Sequence, residues 1–287
     1  MQQHATHWAV EDMAKTLNVS RSGYYRFCSR QPSCRERANK DLSQKIHQIF
    51  LASRETYGSP RIHAELQAEG LCCSRPRVAR LMKKVGLTAK MRRLFKTTTT
   101  LDQQKTAAPN RLGQDFTATM PNEKWVADIT YVRTLEGWLY LAVVLDLFSR
   151  KVVGLSMSPS LHTELVLKAL EQALQRRQPS NSLQHHSDRG CQYTSEAFQA
   201  LLAKNNIICS MSGAGNCYDN AVAESFFHSL KTECIYFERY DNRQQAMNSI
   251  FEYVEVFYNN QRRHSTLGYL PPVEFEHRYY QQQVLCS

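Results

Sequence analysis

The chain has no run of eighteen or more apolar residues, so no membrane-spanning helix is expected. Its start, MQQHATHWAVEDMAK, lacks a basic stretch followed by an apolar one, and no secretory signal is expected. No C-x-x-C pair occurs among the nine cysteines, at 28, 34, 72, 73, 191, 209, 217, 234 and 286. That odd, scattered set argues against a zinc ribbon or a disulfide framework. Reduced thiols, most of them packed as small buried hydrophobes, are the expectation. No long internal repeat is evident, and residues 1–110 carry no sustained apolar heptads, so no coiled coil is expected there.

What is present suits a globular protein. Hydrophobic residues make up 42% and charged residues 22%, enough to bury a real core and too apolar for a disordered chain. The length, 287 residues, suggests about two domains. Net charge is +10, and it is unevenly spread. Residues 1–111 hold 21 Lys and Arg against 8 Asp and Glu, whereas the remainder holds 15 against 18. A basic arm joined to a near-neutral body points to a polyanion partner, nucleic acid above all.

Residues 97–122 read as a linker, polar and without periodicity, with Pro109 and Pro121 inside it. The expected division is a basic helical region over 1–96, the linker, a catalytic core over 123–260 and a tail over 261–287. In the arm, EDMAKTL (11–17) and RSGYYRF, with Ser20 as N-cap, resemble a helix-turn-helix. A second pair is clearer. Ser59 caps a helix with Pro60 at its first position and with Ile62 and Leu66 one turn apart, ending near Gly70. Ser74 caps another, with Val78, Leu81, Met82 and Val85 on one side. Arg75, Arg77, Arg80, Lys83 and Lys84 crowd that helix, which is expected to lie against DNA phosphates or in a groove.

The second part alternates. Strands are expected over 124–133 and, broken by a turn near Asp146–Arg150, within 138–157. An amphipathic helix follows at 163–177, then a strand at 183–188, a Ser-capped helix at 195–206 and a strand at 207–211. Helices at 219–235 and 243–261 close the series. This is an α/β domain with helices on both faces of a mixed sheet.

Three acids stand out. Asp128 sits inside an otherwise burial-suited strand, a costly place for a charge unless it is paired or binds metal. Asp188 lies at the end of another strand. Glu224 lies on helix 219–235, where a helical wheel gathers Asn220, Glu224, His228 and Lys231 on one edge, opposite Val222, Ala223, Phe226, Phe227, Leu230 and Cys234. Glu224 and Lys231 are two turns apart, roughly 10 Å along the axis.

The segments WVADITYV, HHSDRGCQYTS and GNCYDNAVAESFFHSLKTE resemble the DDE transposases of bacterial insertion sequences, within the retroviral-integrase superfamily. The resemblance is to the second-frame, OrfB-type product of the insertion-sequence-three family. That family has two Asp, then 35 residues and a Glu, with a basic residue seven positions later. Here these are Asp128, Asp188, Glu224 and Lys231. YGSPRIHAEL and SRPRVARLMKKVGL are similar to the helix-turn-helix that precedes the family's core, and YNNQRRHSTLGYLPPVEF (258–275) is similar to its tail.

The resemblance implies an RNase-H-like core with a mixed five-stranded sheet, preceded by the DNA-binding helices. It implies a transposase that cleaves DNA at the element's ends and joins the freed 3′-hydroxyl to a target. Asp128, Asp188 and Glu224 would be catalytic and would hold Mg²⁺ or Mn²⁺, two ions per site, since carboxylates are hard oxygen ligands. Lys231, His228 and Asn220 would contact DNA. The implied partners are DNA ends and target, further copies of the chain on DNA and the upstream-frame product of the same element. The implied setting is the bacterial cytoplasm, on the nucleoid.

Other residues carry milder expectations. His185 and His186 point to opposite faces of a strand and cannot chelate together, so at most one lines the site. His4, His7, Cys28 and Cys34 have spacings poor for zinc. Phe251, Tyr253, Phe257 and Tyr258 are expected to pack the last helix, and Arg262, Arg263 and His264 to touch phosphate or lie on the surface. The competing functions are an accessory or regulatory frame product and a nuclease that only hydrolyses. The complete acidic triad speaks against a regulator.

Overall fold

A computed structural model describes residues 1–90, 108–179, 182–213 and 217–286. In chain order the elements are α1 (Val10–Thr16), α2 (Arg21–Ser29), α3 (Cys34–Ala52), α4 (Ser59–Ala68), α5 (Arg75–Lys84), β1 (Lys124–Thr134), β2 (Gly137–Asp146), β3 (Val152–Ser158), α6 (Thr163–Arg177), β4 (Gln184–Ser187), α7 (Glu196–Lys204), β5 (Ile208–Met211), α8 (Ala221–Glu233), α9 (Arg243–Phe251) and α10 (Pro272–Cys286).

The five strands form one sheet in the order β3-β2-β1-β4-β5. β1, β2 and β3 are antiparallel neighbours, as two tight turns between them allow, while β4 and β5 run parallel to β1 behind helical crossovers. Alternation along β1 divides the core. Trp125 and Ala127, with Ala142, Val144 and Val153, pack under α6 and α7. Val126 and Val132, with Leu139, Leu141, Val143 and Leu145, pack under Ala223, Phe226, Phe227 and Leu230 of α8 and under Ala246 and Ile250 of α9. Past α9 the helix continues through Tyr258 with π-type bonds, as where the Asn259 N–H reaches the Val254 carbonyl, so the helix expected over 243–261 is not uniform. Tyr253, Phe257 and Tyr258 are buried as expected, but Phe251 is exposed.

In the arm, Ser20 caps α2 by accepting from the Gly23 N–H at 3.0 Å. Among α1 and α2 only Ala14 is buried. The tighter unit is α3, α4 and α5, packed around Ile46, Ile49, Phe50, Ile62, Leu66, Val78, Leu81 and Met82. Gly58 takes the N-cap of α4, with Ser59 and Pro60 in its first turn, one residue from the expected register. Val85, expected with the apolar side of α5, is exposed beyond the helix end. Among the described cysteines the thiols are free and only Cys234 is buried; Cys28, Cys34, Cys72 and Cys191 are exposed, because the thin arm and the surface turns offer them no core.

Of the segment read as a linker, residues 97–107 lie outside the described residues. The rest lies along the core: Leu112 is buried, and the Asn122 N–H donates to buried Asp146 at 2.8 Å. Asp146, Arg177 and Glu276 form an ion-pair group that ties α10 to the β2–β3 turn, where Phe148 also packs on Phe275 and Tyr279.

Arg262 is not a surface or phosphate-binding residue. It is 3% exposed and bonds Glu233, at the end of α8, at 2.6 and 2.7 Å. Arg61 of α4 and the Tyr253 hydroxyl reach the same carboxylate at 3.3 and 2.8 Å. Arg263 pairs with Glu65, and the Tyr57 hydroxyl accepts from the Arg263 N–H at 2.7 Å. His264 is largely covered too, its ring edge-on to Tyr258 and within 3.1 Å of an Arg262 guanidinium nitrogen. The tail arginines are therefore spent on seating the arm against the core.

Two stability outcomes follow. Arg262→Ala strands a buried carboxylate and should cost about 3–5 kcal/mol, read by urea denaturation. Gly154→Ala would drive a Cβ into the Ala169 carbonyl oxygen of α6 and should cost about 1–3 kcal/mol, with a lower melting temperature in calorimetry.

Candidate active site

The β1–β4 ladder is short. It pairs Lys124 with Gln184, Trp125 with His185 and Val126 with His186, a constant offset of 60. Continued two residues, that register sets Asp128 beside Asp188, where β4 has ended and β1 runs on against β2. Parallel strands present ligand sites at their carboxyl ends for this reason.

Asp128 lies on the α8 side of the sheet and accepts the Ile129 N–H at 2.7 Å. Burial, then Asp188 and then Glu224 raise its carboxyl, to about 8, while Lys231 and the Ile129 N–H oppose the rise. Asp188 accepts the Gly190 N–H at 3.0 Å, and burial raises its carboxyl as well. Glu224, exposed in the first turn of α8, sits where the helix dipole favours an anion, though partial burial nudges its carboxyl up. Lys231 packs over the Tyr131 ring at 5.7 Å. Burial lowers its ammonium, with Tyr131 and Asp128 holding it up. The arrangement thus concentrates negative charge around Asp128 and sets one cation against it. Among the described residues no three His, Cys, Asp or Glu side chains are gathered closely enough to ligate one ion as they stand.

The other expected residues divide. His228 is exposed on α8. Asn220 is 5% exposed and donates to the Ala127 carbonyl at 3.1 Å, so it clamps the start of α8 to the edge of β1 and is not an open DNA contact. On α5, Arg75, Arg80, Lys83 and Lys84 are exposed. Arg77 instead turns inward, its guanidinium on Asn39 of α3 at 2.8 and 3.0 Å. Both histidines of β4 are buried. His186 bridges Ser210 and Ser212 at 2.8 and 3.1 Å, and His185 lies among Tyr193 and Phe198 with its imidazole held down to about 3 by burial. Neither lines the acidic cluster as a ligand.

Sequence reading passed over Tyr193 and Asp219. The Tyr193 hydroxyl is buried and pushed well above its ordinary range by burial and by Asp128 and Asp188. Asp219, five residues before Glu224, is almost wholly buried. A charge directly before Asn220 and α8 was the available signal.

Comparison with known proteins bears on this geometry. Two integrase core domain family models match residues 118–217 and 224–279, and an HTH-like domain family model matches residues 36–95. The last spans α3, α4 and α5 and omits α1 and α2. The chain is 42% identical over 280 residues to the transposase InsF for insertion sequence IS3A of Escherichia coli (strain K12), covering 97% of each chain. The chain belongs to the IS3 family of insertion-sequence transposases.

It is 43% identical over 269 residues to an uncharacterized 31 kDa protein of insertion element IS600 from Shigella sonnei, covering 94% of this chain and 99% of that one. A solved simian T-cell lymphotropic virus intasome, in complex with a PP2A regulatory subunit, aligns with 75% of this chain and 70% of its own at 17% identity and a TM-score of 0.47. The transposase is a DDE-type polynucleotidyl transferase with an integrase core behind an HTH-like domain, and it acts in DNA transposition.

The charge crowding has a measurable consequence in chelator. The Asp128 carboxyl is raised in the folded protein, so its contribution to stability is present below about pH 4 and is lost as pH rises toward 8. Asp128→Asn should therefore raise the melting temperature by a few degrees at pH 7–8 with EDTA, and the gain should vanish near pH 4.

Proposed function

We propose that Asp128, Asp188 and Glu224 form the catalytic set of this transposase and hold divalent metal, Mg²⁺ or Mn²⁺, in a two-ion arrangement. The observation that carries the reading is the β1–β4 register, which sets Asp128 beside Asp188 on the α8 side of the sheet, where α8 carries Glu224 in its first turn. The donor set fits hard cations: carboxylate oxygens only, with surplus negative charge around Asp128. When bound, such ions activate an attacking oxygen and stabilise the leaving oxygen of an in-line phosphodiester displacement.

The chain's own residues supply the rest. Asp128 and Asp188, fixed by the Ile129 and Gly190 N–H groups, form the rigid half of the site. Glu224 comes from a separate helix and completes it. Lys231 steers a phosphate toward the acids, and His228 lies on the same exposed edge one turn before it. One site serves both end cleavage and strand transfer, because the two steps differ only in the attacking oxygen, a water's in the first and a 3′-hydroxyl's in the second.

Arg75, Arg80, Lys83 and Lys84 hold duplex DNA by its phosphates, with α3–α5 as the positioning unit. Two ends and a target per event call for more than one copy of the chain on DNA, and the upstream-frame product of the element is the expected further partner. The setting is the bacterial cytoplasm, at the nucleoid. No helix among the described residues is long and apolar enough to cross a membrane.

The test uses labelled duplex ends taken from the flanks of the element, with Mg²⁺ or Mn²⁺. The wild type should yield joined products, and Glu224→Gln should yield none while binding DNA as before. Joining by Glu224→Gln would remove Glu224 from the site. Binding without joining by the wild type would favour an accessory role. Neutralising Arg75, Arg80, Lys83 and Lys84 together should flatten the dependence of log affinity on log salt by about 3–4, close to 0.9 for each lost phosphate contact. An unchanged slope would place the DNA elsewhere.

A further inference from the structure

The chain entering the core just before β1 is stitched to the approach of α8. Asn110 Nδ2 donates to Asp219 Oδ2 at 2.9 Å, and Gln114 Nε2 donates to Asp219 Oδ1 at 3.1 Å. The Gly213 N–H donates to Asp219 Oδ2 at 2.7 Å. Beside them, the Arg111 and Leu112 N–H groups donate to Ser210 Oγ at 3.0 and 3.2 Å, and Leu112 plugs the core at 3% exposure. Asp219 is 1% exposed. A buried carboxylate that receives at least three N–H groups has little freedom, because each bond lost would leave charge uncompensated in a dry place. Its chain neighbour Asn220 grips the Ala127 carbonyl, next to Asp128. The turn that launches α8 is thus fixed from two directions, by the strap at 110–114 and by β1.

Glu224 needs such fixing. Asp128 and Asp188 are held by their own strands, whereas Glu224 is exposed and accepts no hydrogen bond from the neighbouring backbone among the described contacts; its location depends on where α8 begins. We propose that Asn110, Gln114 and Asp219 are positioning residues for Glu224, setting the start of α8 so that this acid meets the Asp128–Asp188 pair. The proposal rests on the reading of Glu224 as the third member of the catalytic set. A strap that only stabilised the fold would give losses that follow melting temperature.

The pair Asn110–Asp219 offers two probes. Asn110→Asp sets two carboxylates against each other, and Asp219→Asn removes the charge and turns an amide nitrogen toward at least one of the N–H groups that converge there. Strand-transfer kinetics, DNA affinity in EDTA and melting temperature would be measured for both variants, the milder Gln114→Ala and Glu224→Gln. Each variant at 110 or 219 should lose about 10- to 100-fold in kcat, the scale of a catalytic group misplaced by about 1 Å, with KM for DNA and EDTA affinity near wild type. Gln114→Ala, which removes one of the described donors to Asp219, should lose less than either and stay folded.

Wild-type kcat in the single variants and in Gln114→Ala would overturn the proposal. So would losses that track melting temperature. If Glu224→Gln joins DNA at the wild-type rate, the reading of the catalytic set fails; if it is inert while the strap variants are unaffected, only the strap proposal fails.

Discussion

The acidic cluster depends on where one ladder of hydrogen bonds stops. β4 pairs with β1 over three residues and ends one residue later, while β1 continues for eight more against β2. That mismatch leaves a notch at the carboxyl end of β4, lined by Asp128 on one side and Asp188 on the other. Had β4 run on, its next residues would have filled the edge of β1 and paired the backbone groups there. The carbonyl of Ala127 is instead taken by Asn220, so the notch is also where α8 is fastened.

α8 has two duties, and its sequence is divided accordingly. Its apolar half, with Phe226, Phe227 and Leu230, is core for the sheet. Its other edge carries Glu224 in the first turn and Lys231 two turns on, an order that suits the helix dipole at both ends. Its last residue, Glu233, is committed to the arginines of the tail and of α4. One helix therefore touches the acids, the core and the arm.

Much of this was legible in the sequence. Asp128 stood out as a charge in a strand built for burial, and the wheel of 219–235 separated the apolar half from the Glu224–Lys231 edge. Local signals of that kind survive folding because they depend on periodicity alone. What escaped was decided by partners distant in the chain. A wheel gives Asn220 an azimuth but not the bare edge of β1 opposite it, and nothing near Arg262 announces Glu233. Arg77 looked like its four basic neighbours until Asn39 of α3 took it. That helix was itself overlooked, although Ser33 and Glu36 form a capping box, because only Ile46, Ile49 and Phe50 of its nineteen residues are buried. The tail helix α10 was missed for a similar reason: its docking depends on Arg177 and Phe148, far upstream.

The knot of Arg61, Glu233 and Arg262 bears on how such elements diversify. The arm is seated by residues from α4 on one side and from the tail on the other, nearly two hundred positions later in the chain. A crossover between related genes that exchanged only the N-terminal third would bring a foreign α4 onto a resident tail and put at risk the pairs Arg61–Glu233 and Glu65–Arg263, while Arg262 and Glu233 would still hold each other. An exchanged arm would keep its seat only where Arg61 and Glu65 had counterparts that still matched Glu233 and Arg263.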